Sequence, residues 1–454
     1  MALPLPLAEE TVAACGEPRL YRPFFRAGIA VVLTLGAAWG ALLLLRIAWA
    51  GSFTAIGLQE INAHGHAQIF GWVGLFVMGF AYYGLPRLKQ VPLAHPRMAQ
   101  ASLWLMGVGL VVRSGFQAAV AGWAGFGVPA VLGSLAEIAA IGILVWVVLG
   151  TLGSATTALE VLDDYVLTAL GWFFVQAVLE AVYFTATLLA PGTAELLWLV
   201  ATWQGPLREI QIHGFAMLMI LGVSQRLLPE LYGLKQPSKA RSLTSLVVLN
   251  AALIGVVAGL VLMRLSGHAW AALWYLSVLV MVAATVALVW GWGLFGRVER
   301  SDRSLKYVRA AYVWLFISLA MLALLPAHQF GLLAWLAPES RAAEMGFSHA
   351  YYGAIRHGVT VGFVSMMIMG VAARMVPEFQ GIRGDGLGPL WMPFLLVNAG
   401  CAIRVLSQTW TDFAAPAFSV AGPSGLLELT GLAIWGVHLW RIMDQHVELP
   451  GFEP

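Results

Sequence analysis

The sequence predicts an all-α integral membrane bundle of about twelve transmembrane helices, arranged as three four-helix repeats with pseudo-threefold symmetry. Three observations carry this expectation: the composition, the spacing of the apolar segments, and a motif that returns in every fourth segment. Of the 454 residues, 60% are hydrophobic and only 11% charged, with a mean hydropathy of +0.81. Soluble globular chains carry about 25% charged residues. So few charges cannot clothe a chain of this length in water, and lipid must be the solvent for most of it. The 19 tryptophans fit, because indole rings settle at the headgroup level. A net charge of +2, scattered along the chain, gives no footprint for nucleic acid. Cys15 and Cys401 form no metal or redox motif. The first residues include Glu9 and Glu10 and lack the basic start of a cleavable signal peptide.

A helix needs roughly 20 apolar residues to cross the hydrocarbon core. Such segments fall near 26–48, 61–84, 100–121, 128–152, 164–190, 210–230, 242–265, 269–294, 308–327, 355–378, 388–408 and 418–441. Breaks such as Leu93-Ala94-His95-Pro96 and Gly384-Asp385-Gly386 separate them. The whole chain, 1–454, reads as a single polytopic domain with repeat units at about 26–152, 164–294 and 308–441. Basic residues orient it. Arg19, Arg22 and Arg26 precede span 1; Arg87, Lys89 and Arg97 follow span 2; Lys235, Lys239 and Arg241 follow span 6. Arg297, Arg300, Arg303, Lys306 and Arg309 follow span 8. The opposite loops carry few, mainly Arg208, Arg264, Arg341 and Arg356. Both termini are therefore expected in the cytoplasm, with even-numbered spans running inward from the outer face.

The recurring motif lies in spans 2, 6 and 10. His66, Gly71, Gly79 and Pro86 in span 2 are spaced identically to His357, Gly362, Gly370 and Pro377 in span 10. Span 6 matches in its second half, Gly222 to Pro229, while its histidine, His213, sits one turn further in. Internal repeats of this kind are common in membrane transport folds. The topology brings His64, His66, His213, His349 and His357 to the outer starts of even-numbered spans, and His328 to the outer end of span 9.

Ionisable groups inside a span are costly and tend to be functional. Imidazole is a strong ligand for iron and copper, and two helices can hold a haem from both sides. His66 and His357, sharing a register, are the haem axial candidates. His64, His213, His328 and His349 are candidates for a second haem or metal. His64 lies about 200° from His66 around the helix, so the two cannot serve one axial position. Gly71 and Gly362 would let a macrocycle approach the backbone, or equally serve helix packing. Glu137, Glu180 and Glu428 are candidates for proton relay or ligand anchoring, against simple pairing with Arg113, Arg404 or another buried arginine. Met366, Met367 and Met369 read as packing rather than a copper set.

Tyr21-Arg22-Pro23-Phe24-Phe25, the His64-Gly65-His66 entry to span 2 and the block from His357 to Arg374 resemble the NnrS family. The resemblance runs from residue 21 to about 385. It implies a twelve-span bacterial inner-membrane protein carrying haem and copper and associated with relief of nitric-oxide stress. The chain departs from the family where Met375-Val376-Pro377-Glu378-Phe379 replaces a Gly-His-Thr-Gly-type stretch. A wider likeness is to the catalytic subunits of haem-copper oxidases and nitric-oxide reductases, which place outer-side histidines on spans 2, 6 and 10. Span 7, from Ser242 to Leu265, lacks the histidine pair such a site needs, and Met217 stands where a tyrosine would follow His213. Oxygen reduction coupled to proton pumping is not expected on that ground.

The function expected is therefore a haem-binding inner-membrane protein of the NnrS type, with a b-type haem and copper as a second metal. It would bind or handle nitric oxide or a related small gaseous ligand near the periplasmic face, with a quinol or cytochrome as donor. The alternatives are a membrane oxidoreductase of the haem-copper oxidase and nitric-oxide reductase superfamily with a degenerate second metal site, and a transporter with a histidine-lined path.

Overall fold

In lipid a spanning backbone must satisfy its own hydrogen bonds, which favours long uninterrupted helices. The computed structural model describes residues 19–382 and 384–445; Cys15 and His446 lie outside the described residues. Among the described residues there are helices and connections but no strand. The long helices are α1 (Tyr21–Ala50), α2 (Leu58–Lys89), α3 (Pro96–Ala119), α4 (Ala124–Gly153), α5 (Val161–Leu189) and α6 (Thr193–Tyr232). They continue as α7 (Lys239–Ser266), α8 (His268–Trp290), α9 (Leu305–Ala323), α10 (His349–Phe379), α11 (Trp391–Trp410) and α12 (Ala417–Asp444). Ten of them are long and apolar enough to cross a membrane. The other two, α3 and α11, are the helices that carry Arg113 with Gln117 and Arg404 with Gln408.

Local chemistry sets the ends. The Glu160 side chain and Asp163 form a capping box at the start of α5, and Asp163 also accepts from Lys89 Nζ at 2.6 Å. Ser238 and Ser348 cap α7 and α10. Gly233 ends α6 at φ +70°, a conformation that glycine adopts without penalty.

The contacts group the chain into two compact units. The first takes residues up to Val31 with Leu58–Glu299; the second takes Val32–Gly57 with the residues from Arg300 onward. Lipid tails are as apolar as leucine, so helices associate in membranes largely through close packing over small residues. In the first unit a Cβ on Gly79 would strike the Phe25 ring, one on Gly222 would strike Tyr165, and one on Gly214 would lie 3.0 Å from Trp172. In the second unit Gly370 lies under Tyr307 and Gly362 under Trp314. The indoles are anchored beyond the glycines: Trp172 Nε1 donates to Asn250 Oδ1 at 2.7 Å, and Trp314 Nε1 to Asn398 Oδ1 at 3.0 Å. Val31 covers Gly71 in the same way. Of the two roles open to Gly71 and Gly362, the structure displays helix packing.

Widened, π-helical stretches recur among the described residues: eight-residue ones at Ala67–Gly74 in α2, Ile210–Met217 in α6 and Gly358–Ser365 in α10. Shorter ones lie at Val32–Gly36 in α1, at Val200–Gln204 in α6 and, between α9 and α10, at His328–Leu333. Such turns are rare and frequent at functional sites. Every buried histidine taken up below stands at one of them.

Candidate functional site

The first site is built in the first unit on α2, α3, α4, α5 and α6. His66 is the residue immediately before the widened turns of α2, and it is 2% exposed. Its Nε2 lies 2.8 Å from Glu137 Oε2 on α4, and its Nδ1 lies 3.1 Å from Glu180 Oε1 on α5. Ionised carboxylates only accept, so both contacts together need either an imidazolium or one protonated carboxyl. Glu137 reaches the ring because α3 and α4 nearly touch: a Cβ on Gly109 would lie 2.8 Å from Glu137 Cγ and 2.9 Å from Gly133 O.

A wide polar shell surrounds this group. Glu180 Oε2 accepts from Gln176 and, at 2.5 Å, from Gln211 Nε2. Arg208 Nη1 stands 3.8 Å from Glu180 Oε1 and donates to Gln211 Oε1 at 2.6 Å. Arg208 Nη2 donates to Asn62 Oδ1 at 3.0 Å. Arg113, its guanidinium 3.6 Å over the Phe184 ring, donates to Gln117, which in turn donates to Gln59 at 2.7 Å. The carboxylates that could have paired only with arginine therefore contact the histidine first.

The second site is built in the second unit on α10, α11 and α12. His357 also immediately precedes widened turns, and its Nε2 lies 2.7 Å from Glu428 Oε1. The sequence separation is 71 in both His–Glu pairs. Arg113 and Arg404, and Gln117 and Gln408, stand at matching separations from their histidines. The helix approach matches too, since a Cβ on Gly400 would lie 2.6 Å from Glu428 Cγ and 2.9 Å from Ser424 O. The chemistry differs at one position. Leu110 of the first unit is answered by Cys401, and one donor atom each from His357, Cys401 and Glu428 lie within 4.8 Å of one another. Cys401 is fully buried, Glu428 nearly so, and His357 partly.

The third histidine, His213, lies within the widened turns of α6 and is 4% exposed. Its Nδ1 is 2.8 Å from Glu209 Oε2, and its Nε2 is buried with no hydrogen-bond partner among the described residues. Glu209 immediately precedes those turns, as His66 and His357 precede theirs. The residue that matches the two histidines in α6 is thus an acid, and His213 answers it from one turn on.

The remaining candidates part company. His328 is buried, stacked on Tyr351 at 3.9 Å, with Nε2 3.4 Å from Asp412 Oδ2. Asp412 also accepts from Ser348, the cap of α10, so this group belongs to a helix end. His349 is exposed beside Phe347, and His64 is partly exposed. Sequence reading passed over Cys401, Glu209, Arg208, Gln176 and Gln211. Glu209 had a signal, since it stands before Pro229 as His66 stands before Pro86. Cys401 had one as well, since it precedes Glu428 as Leu110 precedes Glu137.

An all-helical, multi-pass membrane protein with buried histidine–carboxylate sites at widened helical turns is the class these features define. The family model described as NnrS protein matches residues 20–446, nearly the whole chain. The chain belongs to the NnrS family. No curated protein matches the sequence.

Proposed function

We propose that this NnrS-family chain is a haem-binding protein of the bacterial inner membrane. It handles nitric oxide or a related small ligand near the periplasmic face, with twelve spans in three four-helix repeats and both termini cytoplasmic. The common placement of His66, Glu209 and His357 before matching widened turns supports the three repeats. The bias of basic residues toward one set of loops supports the orientation.

The observation that carries the haem reading is His213. A histidine that ligates a metal almost always donates its other ring N–H to a carboxylate or carbonyl, which fixes tautomer and ring orientation. Glu209 stands at Nδ1 in that manner, and the buried Nε2 is left as an acceptor without a donor. A buried polar atom in this condition costs about 1–3 kcal/mol, a cost that a ligand removes. The site therefore fits an imidazole-ligated iron, with His213 holding it and Glu209 orienting His213. Bound iron would supply an open coordination position for a diatomic gas. Phe215, stacked on Phe173 at 3.9 Å, lines the same stretch of helix with apolar surface. His66 is less suited, because an iron there would need Glu137 or Glu180 to withdraw from a ring nitrogen. His357 is partly exposed and already meets Glu428 at its Nε2.

Absorbance of the purified chain tests this. A b-type haem spectrum should shift on adding nitric oxide and be lost in His213→Ala, and Glu209→Gln should weaken haem retention by about 10–100-fold. A wild-type spectrum in His213→Ala, or a purified wild-type chain free of haem after growth with haem supplied, contradicts the proposal.

A further inference from the structure

We propose that His66, Glu137 and Glu180 form a sided proton-binding site, which loads one proton from the end of the bundle at which α2 begins. This does not depend on haem, which the reading above assigns to His213.

The geometry of the ring calls for the proton. Nε2 lies 2.8 Å from Glu137 Oε2 and Nδ1 lies 3.1 Å from Glu180 Oε1. A neutral imidazole carries one N–H, so between two ionised carboxylates one nitrogen lone pair would oppose an oxygen lone pair. One added proton turns that repulsion into a second hydrogen bond. Charge pulls the other way. Arg113 on α3 interacts with both carboxylates, and Arg208 on α6 stands 3.8 Å from Glu180. Two arginines balance two carboxylates while His66 is neutral, and the added proton leaves one positive charge where charge is costly. The opposed demands of hydrogen bonding and charge make the proton one that comes and goes. Within the group it moves without any redox change. A proton on Glu180 passes to Nδ1 as the Nε2 proton passes to Glu137, and the ring ends as the other tautomer. Glu137 Oε1, buried with no hydrogen-bond partner among the described residues, can carry the proton without breaking an existing bond.

Access is one-sided. Gln59 and Gln204 are half-buried at the end where α2 begins. Gln204 donates to Asn62 Oδ1 at 3.1 Å, Asn62 also accepts from Arg208, and Gln211 joins Arg208 to Glu180. Gln59 donates to Thr187 at 3.2 Å and accepts from Gln117. The opposite direction is closed by rings: Phe70 stacks on His66 at 4.0 Å, Phe173 lies against Phe70, and Phe215 stacks on Phe173. The second unit keeps the glutamate, arginine and glutamine of the plan, yet Gly353 and Ala350 stand where Asn62 and Gln59 would be. Holding a histidine against a glutamate therefore does not require these amides.

Infrared difference spectra of the full chain in detergent, taken between acid and alkaline pH, test this. Raising the pH should remove one proton from the group. The resulting band should shift when glutamate or histidine is isotopically labelled, and should be lost in each of Glu180→Gln, Glu137→Gln and His66→Asn. A carboxyl titrating alone would keep its band in His66→Asn. In deuterium oxide, Asn62→Leu should slow exchange of that proton by about tenfold, the loss of roughly one hydrogen bond to a charged group. Tyr82→Phe, far along α2 toward the closed end, should exchange at the wild-type rate. A wild-type chain without such a band overturns the proposal with no substitution made. A band that survives in His66→Asn, or exchange slowed by Tyr82→Phe as much as by Asn62→Leu, overturns it as well.

Discussion

The His66 and His357 sites start from one plan and end in different chemistry. Each histidine stands before widened turns, each meets a glutamate 71 positions on, and each glutamate reaches its ring over a glycine. Around His66 the plan is closed. A second carboxylate takes the other ring nitrogen, and glutamine and arginine side chains surround that carboxylate, Glu180, while Glu137 Oε1 has no hydrogen-bond partner among the described residues. Around His357 it is open: the ring is partly exposed, a thiol replaces leucine, and Arg404 keeps a donor to spare. The lesson concerns what a buried ionic group is for. A histidine met by a carboxylate at each ring nitrogen holds helices in place and is costly to break, whereas one met at a single nitrogen is prepared to take a ligand.

The largest effect expected from this contrast is on stability. Glu180→Leu takes the acceptor from His66 Nδ1 and from the Gln211 amide, and should cost about 3–5 kcal/mol. Glu428→Leu should cost less, because its histidine is already partly exposed. Thermal unfolding midpoints of the detergent-purified variants check this, and an equal or greater loss for Glu428→Leu breaks the comparison. A smaller effect separates the glycines. Gly362→Ala drives a methyl into the Trp314 indole and should cost about 1–3 kcal/mol. Gly71→Ala meets one Val31 methyl group below 3.0 Å rather than three atoms of an indole side chain, and should cost less. Gly84→Ala, with nothing within 4 Å, should stay within about 0.5 kcal/mol in the same assay. Smaller still, Asn250→Leu and Asn398→Leu each remove the acceptor of one indole N–H, for about 1 kcal/mol apiece. Tryptophan emission should change with each, and an unchanged spectrum would mean the indole had no such anchor.

Much of this was open to sequence reading, and the reasons for the rest are physical. Apolar length and basic loops located the helices, and α2, α6 and α10 emerged where the repeated His, Gly and Pro positions placed them. His66 and His357 could be paired because their spacing to two glycines and a proline is the same. Glu137, Glu180 and Glu428 drew notice as acids inside apolar segments, a cost that marks them out. Cys401 did not, because a lone cysteine in a span looks like any small apolar residue until α11 is known to face His357. Arg208 was counted as a loop charge, but α6 begins at Thr193, far earlier than the apolar segment suggested, and carries Arg208 inward to Glu180. The widened turns leave little trace in composition, and they are what bring these histidines to their partners.

Haem content of two single variants tests the account most directly. His213→Ala and His66→Ala, purified as full chains after growth with haem supplied, are compared by absorbance. The account predicts that His213→Ala loses the haem and that His66→Ala keeps it. Haem lost from His66→Ala and retained by His213→Ala would contradict it.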